Sequence, residues 1–286
     1  MPSLDKITIA PHLTFDALLA GEVGAPLVLL LHGFAESMHC WRAQVAALGD
    51  AGYRAIAPSQ RGYSPTARPD PCDASHYHID RLMDDAMAIV KAAGYGEARF
   101  HLVGHDWGGS IAWALADRTP QRIASLTVLS RPHPNAFNRA LQMPDGDQAH
   151  RSRHHKAFLE PNAADTVLAD DCKWLRERLA ANGMPQAAIS GHLAVLGNKQ
   201  AMEAALAWYR ARGAIRGPLG PIRVPTLYIW GDADDTVGRP AAEGTVDFIA
   251  APYRFEILPG VGPFAADQVP DRVSELLLEH LQAHPI

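Results

Sequence analysis

The chain predicts an α/β fold, with a mostly parallel sheet, helices on both faces and a helical cap. Three features lead there. Short, almost continuously apolar runs recur along the sequence, as strands covered on both faces must be. Amphipathic, helix-like stretches separate them, and that alternation specifies a parallel sheet wrapped on two sides. One long stretch breaks the alternation with helical segments alone.

The strand-like runs are LVLLLHG at 27–33, YRAIAPS at 53–59, FHLVGHD at 100–106, SLTVLS at 125–130, PTLYIWG at 225–231 and YRFEILPG at 253–260. Between them, HIDRLMDDAMAIVKAAG at 78–94 carries Ile79, Leu82, Met83, Ala86, Ile89 and Val90 on one face and ends at Gly94, a helix-stop residue. PDRVSELLLEHLQAH at 270–284 begins with Pro270, suited to the first turn of a closing helix. From 134 to 216 no strand pattern occurs, and RSRHHKAF, DDCKWLRERLAANG and QAMEAALAWYRARG read as helical. The expected organisation is a core of 1–133 and 217–286 with a helical cap, or lid, at 134–216. Long insertions cost little closure entropy and commonly cover a site.

Composition narrows the class of function. At 286 residues the chain can bury a large core. Its 48% apolar and 20% charged residues are ordinary for a soluble globular protein. A net charge of −5 with interspersed signs leaves no basic footprint for nucleic acid. Three scattered cysteines, Cys40, Cys72 and Cys172, argue against a disulfide framework and for a reducing compartment. The N-terminus has no apolar signal region, and no apolar run nears the ~20 residues of a membrane helix. A cytoplasmic location is expected, with a small-molecule substrate and neither nucleic-acid nor membrane partners. Oligomeric state is open, a homodimer being one option. No repeat or low-complexity tract is present.

The chemistry concentrates in LVGHDWGG at 102–109. An apolar strand runs into a glycine-rich turn and then into the helical SIAWALADR, the strand–turn–helix context of a nucleophile elbow. Asp106 stands at its apex. An unpaired carboxylate there would be costly to bury, which marks it as functional. Trp107 would offer its backbone N–H at a helix N-terminus, and Phe34, after the first apolar run, would offer another. Together they would form an oxyanion hole.

With these residues the sequence resembles the α/β-hydrolase superfamily, over nearly its whole length. Its nearest likeness is the epoxide hydrolase-like branch, which includes haloalkane and haloacid dehalogenase relatives. The carrying stretches are HGFAESMHCWRAQVAAL (32–48), AGYRAIAPSQRGYS (51–64), GHDWGG (104–109), AWYR (207–210) and WGDADDTVG (230–238). The resemblance implies that Asp106 attacks a carbon electrophile to form an alkyl ester, which a histidine, oriented by a second acid, hydrolyses with water. By motif position the second acid is Asp234, with Asp232 and Asp235 as competitors. The histidine would follow the last strand, where this chain has GVGPF with Pro263, which has no titratable group. Ala35 stands where the branch usually has proline. Of two cap tyrosines that hold the epoxide oxygen, Tyr209 matches the second, and His154 fills the slot of the first.

Each residue has a plainer alternative. Asp106 could be inherited in an inactive site, Asp234 could cap a turn, and Tyr209 could be core. His154, among Arg151, Arg153 and Lys156, could lie on a solvated face. Trp208 and His133 are candidate substrate-binding residues, although His133, between prolines at the hinge, could be structural, while His32 and His105 fit the turns of the fold. The 14 histidines show no metal-ligand spacing. Neither a phosphate loop nor a dinucleotide fingerprint occurs, so no metal or cofactor is expected. The functional expectation is a cofactor-independent enzyme of epoxide hydrolase type using Asp106. The alternatives are a non-hydrolytic ring-opening, cyclising or lyase-type enzyme with Asp106 as general acid/base, and a ligand-binding pseudoenzyme.

Overall fold

The structure is a computed structural model that describes residues 2–211 and 217–286. Eight strands form one sheet: β1 (Ser3–Ala10), β2 (Leu13–Ala20), β3 (Leu27–Leu31), β4 (Arg54–Pro58), β5 (Phe100–His105), β6 (Ile123–Leu129), β7 (Thr226–Gly231) and β8 (Tyr253–Leu258). Their order across the sheet is β1-β2-β4-β3-β5-β6-β7-β8. The β1–β2 and β2–β4 pairs are antiparallel, and every other pair is parallel. The six strands read from apolar runs are all present, within two residues at each end. The β1–β2 hairpin was not legible, because β1 is a mostly exposed edge strand in which Ser3, Asp5, Lys6 and Thr8 interrupt the apolar residues.

The pleat sends alternate side chains to opposite faces. Leu27, Leu29 and Leu31 of β3 join one apolar cluster, with α2 (Ile79–Val90) and α3 (Trp107–Arg118). Val28 and Leu30 join the other, with α1 (Arg42–Asp50) and α12 (Pro270–Ala283). Gly94 takes a φ of 94° just past α2, as its role as a stop requires.

Between β6 and β7 the described residues form α4 (Pro134–Leu141), α5 (Gln148–Arg151), α6 (His154–Ala157), α7 (Ala163–Ala181), α8 (Gln186–Leu196) and α9 (Lys199–Arg210), with no strand. Helix α7 is broken near its middle, where Asp170, Asp171 and Cys172 have φ of 51°, 55° and 60°. The expected end of the insertion at 216 lies outside the described residues. Phe158, Leu175, Leu196 and Trp208 of this stretch join the same apolar cluster as Leu29 of β3 and Ile111 of α3.

Strand order places the site. β3 lies between β4 and β5, so the connections leaving β3 and β5 diverge at their C-terminal ends. A crevice opens at such a switch point. Gly33 and Phe34 follow β3, and Asp106 follows β5.

Candidate active site

Asp106 has φ 48° and ψ −114°, a strained corner for a residue with a Cβ, costing about 1–3 kcal/mol. The turn closes because its neighbours lack side chains. A Cβ on Gly33 would collide with the Asp106 side chain, and one on Gly108 would strike the Leu31 carbonyl. The Asp106 carbonyl accepts the Ser110 N–H at 2.9 Å and so starts α3. Its carboxylate turns the other way, where Oδ1 accepts the Phe34 N–H at 2.9 Å. Trp107 opens α3, with its ring against Tyr209 at 5.2 Å.

A cavity of about 50 Å³ lies over Asp106, and its wall includes Phe34, His105, Ser130, His154, Tyr209 and Pro263. The insertion therefore brings two of its predicted residues to the elbow. Tyr209 of α9 is buried, with its ring against Phe34 at 5.4 Å and Phe158 at 5.0 Å. His154, the first residue of α6, donates its Nδ1–H to the Arg151 carbonyl at 3.1 Å, which leaves the lone pair of the neutral ring on Nε2. Burial and the Arg178 charge hold its pKa below the ordinary value, against the pull of Asp106.

Of the three acids after β7, Asp234 is the buried one. Its Oδ1 accepts the Thr236 N–H and hydroxyl, each at 2.7 Å, and the Val237 N–H at 2.9 Å. The Ser130 hydroxyl donates to its Oδ2 at 2.5 Å. Burial pushes the Asp234 carboxyl up despite these donors. Asp232 accepts the Gly260 N–H at 2.6 Å, and Asp235 pairs with Arg178 at 3.0 Å. Among the described residues no histidine is bonded to Asp234. Pro263 lines the cavity, and its carbonyl accepts the His105 Nε2–H at 2.8 Å.

His105 is more than a turn residue. Its Nδ1–H donates to Glu36 Oε2 at 2.6 Å, so both ring nitrogens face acceptors. Burial alone would depress the imidazole, but the Glu36 charge and hydrogen bond, with Asp106 nearby, raise its pKa to about 9. His105 is therefore an imidazolium at neutral pH, with no lone pair to offer as a base. His32, in contrast, is held down to about 4 by burial. Its Nε2 accepts the Gln60 N–H at 3.1 Å, as a neutral structural ring does.

Beside Glu36 lie His192 of α8 and Asp267 of α11 (Ala265–Gln268). Among the described residues these three are the one group whose ligand atoms could surround a metal, all lying within 4.8 Å of one another. The Ser37 N–H donates to His192 Nδ1 at 3.1 Å, so the ring hydrogen must sit on Nε2, where it donates to Asp267 Oδ2 at 2.9 Å. That arrangement suits a hydrogen-bonded latch and leaves the imidazole no lone pair for an ion. Sequence reading missed the cluster. Glu36 and His105 were visible inside the HGFAE and GHD stretches, but nothing local linked them to 192 or 267.

Two predicted substrate-binding residues do not line the cavity. Trp208 is buried, donates its Nε1–H to the Arg61 carbonyl at 3.0 Å and packs on Tyr63 at 5.8 Å. One residue is about 100° of helical turn, so Tyr209 reaches the cavity while Trp208 turns into the core. His133 is fully buried, accepts the Asn135 N–H at 3.2 Å as the cap of α4 and stacks on Phe248 at 4.9 Å. Burial lowers its pKa to about 4.

Residues 26–267 match the model of a family described as the alpha/beta hydrolase fold. The chain belongs to the α/β-hydrolase family. This α/β-hydrolase is 31% identical over 307 aligned positions to Epoxide hydrolase A of Mycobacterium tuberculosis, with 92% of each chain covered. It is 30% identical to human Epoxide hydrolase 4, covering 94% of this chain and 76% of that one. The crystal structure of Epoxide Hydrolase A from Mycobacterium thermoresistibile superposes with a TM-score of 0.84 over 100% of both chains at 26% identity.

Proposed function

We propose that this α/β-hydrolase is an epoxide hydrolase-type enzyme that needs no cofactor, with Asp106 as nucleophile and His154 as the base in place of the histidine missing at Pro263. The observation that carries the reading is the convergence of Asp106, Tyr209 and His154 on one cavity, with named epoxide hydrolases among the relatives in support.

In the first step the free oxygen of Asp106 attacks an epoxide carbon. The ring C–O bond breaks, and Tyr209 passes its hydroxyl proton to the departing oxygen, giving a β-hydroxyalkyl ester. In the second, His154 Nε2 takes a proton from water, whose oxygen adds to the ester carbonyl at Asp106 Cγ. The Phe34 and Trp107 N–H groups hold the resulting oxyanion. The intermediate collapses to an Asp106 carboxylic acid and an alkoxide, which takes the His154 proton and leaves as the diol, and the Asp106 acid proton passes to the Tyr209 phenolate, restoring the starting groups. The base is poised because its pKa is held low, so it is neutral and basic at neutral pH. The helices from α4 to α9 act as the cap that closes the site from water.

A second reading has its own observation. Both carboxylate oxygens of Asp234 are taken by Ser130, Thr236 and Val237, which leaves ester hydrolysis without the usual orienting acid. Asp106 would then serve as acid/base in a non-hydrolytic ring opening. The test is product analysis and intact-protein mass with a panel of epoxides. Diol formation by wild type, and a persistent adduct in His154→Ala, are the expected results. An isomerised or cyclised product favours the second reading. Neither product nor adduct from any epoxide overturns both.

A further inference from the structure

Beside the elbow stands Arg131, a cation that the chemistry above does not use. His105 of β5 pairs in register with Leu129 of β6, and adjoining strands lie about 4.8 Å apart, so Asp106 and Arg131 leave the sheet side by side. The Arg131 stem rests on the first turn of α3, where a Cβ on Gly109 would come within 2.8 Å of the Arg131 Cβ. Its main chain is held from three sides. Ser130 before it has φ 60°, in the left-handed region that few residues with a Cβ adopt. Pro132 after it disfavours a helical backbone. The Arg131 carbonyl accepts the Trp113 indole N–H at 3.0 Å.

Among the described residues the guanidinium donates no hydrogen bond and pairs with no carboxylate. Its Nε is buried without an acceptor, and its Cζ lies 4.6 Å over the Phe137 ring of α4. Arg178 on the cavity wall is, by contrast, paired with Asp235 at 3.0 Å. Resting on the epoxide hydrolase reading, we infer that Arg131 binds a carboxylate of the substrate, which is then a short-chain epoxy acid.

A cation held away from water without an anion is costly, and a ligand that brings the charge relieves the cost. Burial pulls the Arg131 pKa down, while Asp106, Tyr209 and Tyr228 pull it back up. Of these Asp106 is the carboxylate, and its charge vanishes once the ester forms. A substrate carboxylate keeps the guanidinium neutralised through that intermediate. The planar fork of an arginine takes a carboxylate by two parallel hydrogen bonds, and one guanidinium balances one negative charge. Asp106 and Arg131 leave adjacent strand ends, so few bonds separate the epoxide from the carboxylate.

The experiment compares kcat/KM for diol formation from 3,4-epoxybutanoate and its neutral counterpart 3,4-epoxybutanamide in wild type, Arg131→Gln and Arg131→Lys. Calorimetry on the same proteins follows binding of the product acid, 3,4-dihydroxybutanoate, and of its amide. Wild type should favour the acid by about tenfold or more, the scale of a hydrogen bond to a charged group. The acid-to-amide ratio should fall to near one in Arg131→Gln. It should fall in part in Arg131→Lys, which keeps the charge and loses the fork, and this variant decides the point if the glutamine variant fails to fold. No preference for the acid in wild type overturns the inference while leaving hydrolysis intact. So does an unchanged ratio in a folded variant, the result if the charge serves Asp106 alone and both substrates lose equally. Acid binding that Arg131→Gln abolishes, without diol from either epoxide, upholds the anion site and removes the epoxide reading. Neither diol nor acid binding overturns both.

Discussion

At the scale of single residues, Asp106 concentrates strain and charge in one place. Asp106→Asn keeps the size of the side chain and an acceptor for the Phe34 N–H, now bonded to Oδ1 at 2.9 Å. It removes the nucleophile. The expected outcome is loss of at least about 10³-fold in kcat with a denaturation midpoint within about 1 kcal/mol of wild type. Activity within about tenfold of wild type would exclude Asp106 as the attacking group. His154 makes a separate prediction. Its pKa lies below the ordinary histidine value, so the base is already deprotonated at neutral pH. Turnover should be flat there and fall only as the solution becomes acidic, and His154→Ala should remove that acid limb from the pH–rate profile. Pro263→His restores an imidazole over Asp106, but Asp234 Oδ2 is already bonded to the Ser130 hydroxyl at 2.5 Å. The new ring must displace that hydroxyl to be oriented. Pro263→His combined with Ser130→Ala should therefore hydrolyse simple epoxides faster than Pro263→His alone. Equal rates would show that Ser130 does not compete for the acid.

At the scale of elements, buried ion pairs and hydrogen bonds tie the strand ends to the insertion. Glu36 follows β3, His105 ends β5, and the Pro263 carbonyl after β8 takes the second N–H of His105. Three chain segments thus meet on one imidazolium. Its pKa is raised from 6.5 to about 9 in the folded state, so it binds its proton more tightly than the unfolded chain does. The stability this contributes is complete below about pH 6.5 and is lost as pH rises through about 9. Glu36→Gln should lower stability at neutral pH and flatten its decline between these values, read as urea midpoints across the range. His192 is the latch of α8. His192→Leu leaves the buried Ser37 N–H and Asp267 without their partner, at about 1–3 kcal/mol for each unsatisfied group. Faster amide exchange across 186–196 than in wild type is the expected signature. Unchanged exchange would mean that apolar packing alone holds the helix.

At the scale of the whole molecule, the insertion is not an independent body. Phe158, Leu175, Leu196 and Trp208 share one apolar cluster with Leu29 and Phe100 of the sheet and Ile111 of α3. Urea unfolding should therefore proceed as one cooperative transition, with tryptophan fluorescence and far-ultraviolet circular dichroism coincident. An earlier fluorescence transition would show that the inserted helices unfold separately.

What the sequence by itself determined was set by local pattern. The six parallel strands, the position of Asp106 between strand and helix, and the helical nature of the stretch between β6 and β7 all follow from side-chain period and from the glycines beside the elbow. Such signals need only a few neighbouring residues. Tertiary structure decided what depends on distant segments meeting. Motif position favours Asp234 over its competitors Asp232 and Asp235, but only the closing of their loop against Ser130 buries it and leaves the other two exposed. Tyr209 and Trp208 are adjacent, and the rotation of α9 alone sends one to the cavity and the other to the core. Glu36, His105, His192 and Asp267 come from four separate segments of the chain. Their meeting is invisible in a linear pattern, because a buried charge is tolerated only where the fold delivers its partners.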